Sequence, residues 1–194
     1  MTIGINGMAH VILTVSRFEV AREFYRKLLP EFGMKPVFDG DGFFYCVGAR
    51  TAIGIEPCDP ALVGERFVQQ RVGLHHLCLR ARSREDVDQC AALLKEMNAT
   101  IVRGPMEGPW APGYYYLLFE DPDGIRLEVN FVPGAGLLAE GAQFNPGTGH
   151  VCTALTGGSS GHSRLFTNTG SRIRSIGLVA VVTPGTTLYP CSIE

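Results

Sequence analysis

Apolar residues alternate with others through "AHVILTV" (residues 9–15), and the spacing then changes, with Phe18, Ala21, Tyr25 and Leu28 recurring at helical intervals. A strand followed by an amphipathic helix is the expectation. The same succession returns at "HHLCLRA" (residues 75–81), where Val87, Cys90, Ala91 and Leu94 mark the second helix. Ser16 with Glu19 and Ser83 with Asp86 stand where N-caps belong, the first pair as a capping box. Gly33 and Asn98 follow the two helical patterns and suit a left-handed C-terminal position.

After each helix the chain turns to β-branched and aromatic runs. "KPVFD", "GFFYCVG" and "RTAIGIEP" follow the first, and "ATIVRG", "GYYYLLFE" and "GIRLEVNF" follow the second, punctuated by "DGDG" and "DPDG" turns. The fold class is therefore α+β, with two tandem βαβββ modules at residues 7–66 and 72–132 and an extension over 133–194.

The repeat changes how individual residues read. His10 and His76 open the first strand of their modules, while Glu56 and Glu128 lie near the end of the fourth, 14 and 15 residues after Gly42 and Gly113. A lone strand histidine is more often packed or solvated than a ligand, and a glutamate in an alternating strand often faces water. Four such residues at matched places in a repeat favour a ligand set instead. If the modules pack about a twofold axis, His10, Glu56, His76 and Glu128 converge, and such a set suits Zn, Ni, Co, Fe(II) or Mn. His75 is then a bystander.

Composition narrows the field. The chain has 194 residues, 45% of them hydrophobic, with 17 basic against 19 acidic residues and a net charge of −2. No basic run or stripe tracks a phosphate backbone, so nucleic acid is not an expected partner. No stretch is long and apolar enough to span a bilayer and no targeting segment is visible, which predicts a cytoplasmic protein without a membrane partner. The six cysteines are scattered without a CxxC pair and read as free thiols.

The βαβββ repeat, "AHVILTV", "HHLCLRA" and above all "FEDPDGIRLEV" resemble the vicinal oxygen chelate superfamily over about residues 7–132. That superfamily includes glyoxalase I, extradiol dioxygenases, fosfomycin thiol transferases, bleomycin-binding proteins and methylmalonyl-CoA epimerase. The resemblance implies two modules forming a half-open barrel, with one divalent metal held at the places occupied here by His10, Glu56, His76 and Glu128. A glutamate at the first module's place, rather than a vacant position, is similar to glyoxalase I and implies a lyase or isomerase acting by proton transfer on a small oxygenated substrate, with Glu56 or Glu128 as base.

Extradiol ring cleavage and metal-free drug sequestration, as in bleomycin resistance, are the alternatives. A homodimer follows if the ligands come from two chains and is unnecessary if they come from one. Many glyoxalase I enzymes carry an arginine four residues after the first ligand to hold glutathione, and here Thr14 stands there while Arg80 occupies that place in the second module. Glutathione as cosubstrate is in doubt on that ground, and Arg80 is a candidate for holding an acid.

The segment "GPMEGPWAPG" (residues 104–113) reads as an additional surface loop carrying the only tryptophan, Trp110, towards Tyr114, Tyr115 and Tyr116. Trp110, Tyr114 and Tyr116 are candidates for walling a substrate pocket. Beyond residue 150 the chain is rich in Ser, Thr and Gly, with one run, "SIGLVAVVT", of strand character. His150 and His162 have no partner motif and are assigned no role.

Overall fold

The computed structural model describes residues 3–48 and 50–144. The strand-like run, His150 and His162 lie outside the described residues. In the first module β1 (His10–Val15), α1 (Phe18–Glu31), β2 (Lys35–Gly40), β3 (Phe43–Val47) and β4 (Ala52–Pro57) succeed one another. The second repeats the plan with β5 (Leu77–Arg80), α2 (Arg84–Glu96), β6 (Thr100–Glu107), β7 (Tyr115–Glu120) and β8 (Arg126–Phe131). Each forms a four-stranded sheet, ordered β1-β4-β3-β2 and β5-β8-β7-β6, in which the first and last strands of the module run parallel and the other neighbours antiparallel.

Alternation in the sheets decides what each face does. Leu13, Val15, Phe44, Ile53 and Ile55 of the first module and Leu117, Phe119, Leu127 and Val129 of the second join the helix residues Tyr25, Leu28, Val87 and Leu94 in one buried cluster. The opposite faces carry the candidate chemistry. Gly33 (φ 73°) and Asn98 (φ 54°) take the left-handed turn after their helices, as expected.

The two helix starts differ. Ser83 caps α2, its hydroxyl accepting from the Asp86 N–H at 3.1 Å, and Ser83→Ala is expected to cost about 1 kcal/mol in urea denaturation. The expected Ser16–Glu19 capping box does not form. Helix α1 starts one residue later, after Arg17, with no side-chain cap of its own, and Glu19 pairs with Arg22 at 2.6 Å. Ser16 instead meets a carboxylate from the other module: Asp123, in the "DPDG" turn, accepts from the Ser16 N–H at 2.6 Å, the Ser16 hydroxyl at 2.9 Å and the Arg17 Nε at 3.2 Å. A negative group beside a helix N-terminus is favourable, and these bonds to Ser16 and Arg17, just ahead of α1, fasten the modules together.

Segment 104–113 is also less of a loop than its glycines and prolines suggest. Strand β6 runs on to Glu107, pairing Met106 with Tyr116 and Glu107 with Tyr115 across register shifts around Arg103. A bulge lets the strand absorb Pro105, which has no N–H to offer a ladder.

Candidate functional site

Strand pairing sets the candidate residues in rows across each sheet. In the second module one row reads Cys78, Glu128, Leu118 and Arg103 from β5 to β6, and the next reads Arg80, Asn130, Tyr116 and Met106. The first module's counterpart of the Glu128 row is Ile12, Gly54, Tyr45 and Phe38. Glu56 pairs with Thr14, four residues after His10, whereas Glu128 pairs with Cys78, two after His76.

The two glutamates are therefore not equivalent. Glu56 matches Asn130, and the residue matching Glu128 is Gly54. The turn between the last two strands is one residue shorter in the first module, and the glycines before β3 and β7 stand at different distances from the ladder. Matching the sequences on those glycines displaces the comparison by two residues, which keeps the face and changes the position.

The two faces diverge accordingly. A side chain at position 54 would have its first carbon 2.7 Å from both Ile12 Cδ1 and Tyr45 Cδ2, and Phe43 stacks on Tyr45 with ring centroids 5.7 Å apart. That row is closed by packing. In the second module the matching floor lies under a cavity of about 560 Å³, lined among others by His76, Arg80, Trp110, Tyr114, Tyr116 and Glu128.

Glu128 is 5% exposed. Its Oε1 accepts from the Tyr114 hydroxyl and from the Cys78 thiol at 3.4 Å, and Asn130 Nδ2 donates to the Tyr114 oxygen at 2.7 Å. Its Oε2 lies 3.6 Å from His76 Nε2. Burial and the adjacent Glu128 carboxylate push both the Tyr114 hydroxyl and the Cys78 thiol far up from their ordinary values, so at neutral pH both remain protonated donors. Trp110 packs edge-on against Tyr114 and Tyr116 at 5.1 and 5.0 Å, and the three rings line the cavity together. His75 is placed beside His76, their Nδ1 atoms 2.7 Å apart. Asn130 and Cys78 are the members that sequence reasoning left out, and their signal is alternation: both share a face with Glu128.

The fit of a metal is judged by donors. His76 and Glu128 stand together, while His10 and Glu56 are exposed on the first module, and among the described residues no three His, Cys, Asp or Glu side chains are gathered to hold an ion. One Glu128 oxygen is already occupied by two protein donors. As arranged here, the side chains form a two-donor pair rather than a four-ligand centre.

Comparison with known proteins agrees with this architecture. Residues 7–129 match the family model described as the glyoxalase/bleomycin resistance protein/dioxygenase superfamily. The uncharacterized protein YqjT of Bacillus subtilis (strain 168) is 31% identical over 126 residues, covering 63% of this chain and 96% of that one. A solved structure from Bacillus halodurans superposes with a TM-score of 0.59 at 28% identity, covering 66% of this chain and 96% of the other. A glyoxylase/bleomycin resistance protein/dioxygenase domain from Frankia sp. EAN1pec gives 0.53 at 25% identity, covering 66% and 98%.

Proposed function

Starting from a chain that belongs to the glyoxalase/bleomycin resistance protein/dioxygenase superfamily, we propose that its second module is an active site for proton transfer on a small oxygenated substrate, a lyase or isomerase reaction of glyoxalase I-like outline. The observation that carries this reading is the buried Glu128 carboxylate on the floor of the cavity, with one oxygen fixed and the other facing His76.

The roles follow from the atoms. Tyr114 and Cys78 donate to Oε1 and orient the carboxylate, leaving Oε2 to take a proton from a carbon beside a carbonyl and return it to the neighbouring carbon. His76, at 3.6 Å, is placed to hydrogen-bond the substrate oxygen as charge develops on it. Trp110 and Tyr116 exclude water from one side of the substrate.

A divalent metal, if bound, would be held from this module by His76 and Glu128, and it would supply Lewis-acid stabilisation of the developing oxyanion. His10 and Glu56 would have to join them to complete the expected set. Sequestration without chemistry is the second reading, favoured by the aromatic and aliphatic walls.

The test is solvent-deuterium wash-in at the carbon next to the carbonyl of small hydroxyketones and hemithioacetals, followed by NMR with and without Ni, Zn, Mn, Co or Fe(II). Wash-in is expected in the parent and a fall of about a hundredfold or more in Glu128→Gln, the usual contribution of a positioned base. Ligand binding with no wash-in under any condition leaves the sequestering reading.

A further inference from the structure

The charges around the cavity identify a ligand class. Arg80, Arg103 and Arg126 line it, against the single carboxylate of Glu128. Arg126 is paired with Glu120 at 3.0 Å. The side chains of Arg80 and Arg103 make no hydrogen bond or ion pair with the described residues, although arginine carries its charge at any physiological pH. They stand on the two outer strands of the sheet, β5 and β6, with the Glu128 floor between them.

We infer that the cavity takes an organic anion with an apolar body, a carboxylate or chemically similar acid, whose charged end lies toward Arg80 or Arg103 and whose body lies along Trp110, Tyr116 and Leu118. This rests on the reading of the cavity as the substrate site and adds the substrate's charge. The orientation follows from the electrostatics. An anionic group is repelled by Glu128 and attracted by the guanidinium groups at the flanks, so the neutral, proton-bearing part of the ligand is the part that reaches Oε2.

The rival chemistry is a cation, since three aromatic rings beside a carboxylate can also hold an ammonium group. Two features oppose it. Glu128 Oε1 already receives donors from Tyr114 and Cys78, and a cation in the cavity would stand among the guanidinium groups of Arg80, Arg103 and Arg126.

Trp110 is the only tryptophan in the chain and lies in the cavity wall, so its fluorescence reports occupancy directly. The full chain is titrated with three probes of one shape: phenylpropanoate, phenylpropyl alcohol and phenylpropylamine. The carboxylate is expected to bind about tenfold tighter than the alcohol in low salt and the amine more weakly than either, with the preference shrinking as salt screens the exposed arginines. The double variant Arg80→Gln/Arg103→Gln, with unchanged thermal stability, should bind carboxylate and alcohol alike.

Equal affinities in the parent, or an amine that binds tightest, overturn the anion assignment and leave the proton-transfer reading standing if wash-in persists. Failure of all three probes to alter Trp110 overturns the anion assignment, and absence of wash-in as well overturns the reading beneath it.

Discussion

Asp123→Ala is expected to lower stability by about 3 kcal/mol, because it strips one buried carboxylate from several charge-assisted hydrogen bonds at once. The residue is 3% exposed and receives the Ser16 N–H, the Ser16 hydroxyl and Arg17 across the junction of the modules. The penalty should appear as a reduced urea midpoint at pH 7. Asp123→Asn, which keeps one acceptor oxygen, should lose about half as much.

Asp121, two residues away, should behave oppositely. Burial pushes its carboxyl up to about 6, while N–H groups of Ile125 and Asp123 and the Tyr25 hydroxyl hold it back. Since the folded value exceeds the ordinary 3.8, this group's contribution is full below that value and is lost as pH rises through about 6. The parent should therefore gain stability relative to Asp121→Asn as pH falls from 7 to 4. Asp123 runs the other way: burial raises its carboxyl, but the Ser16 and Arg17 hydrogen bonds outweigh this and bring it below 3.8. Its contribution is present above that value and lost on further acidification.

Gly104→Ala is the second large effect, at about 3 kcal/mol from the left-handed backbone and the crowding together. Gly104 has φ 88°, and an added methyl would press on the Tyr116 carbonyl oxygen and lie 3.1 Å from Leu117 Cα, both backbone atoms of β7 that cannot swing aside. Gly33→Ala provides the comparison. Its φ is 73° but nothing lies within 4 Å of the added carbon, so only the backbone cost of about 1 kcal/mol remains. Thermal denaturation separates the two, and because Gly104 adjoins the bulge that places Arg103 at the cavity, only its variant should also weaken ligand binding.

The order of elements was legible because alternation and helical spacing are local signals, and the hydrophobic faces they define are the faces that meet in the core. Ser83 and Asn98 were legible for the same reason. Asp123 was not: its partners lie 107 and 106 residues earlier in the chain, and "DPDG" reads locally as a turn. The candidate site was half legible. Alternation puts His76, Glu128 and Tyr116 on one face, and a tryptophan beside three tyrosines is a visible wall. Register is not a local signal, so a shift of two residues could carry Glu56 along the same face into the place of Asn130 without disturbing any hydrophobic pattern.

That displacement separates the roles of Glu128 and Glu56. Deuterium wash-in rates should be compared in Glu128→Gln and Glu56→Gln, each checked for folding. A fall of about a hundredfold or more is expected for Glu128→Gln, and a rate within about twofold of the parent for Glu56→Gln, as for an exposed substitution away from the reacting atoms. Equal losses in both would contradict a site confined to the second module and would favour the set of His10, Glu56, His76 and Glu128 acting together.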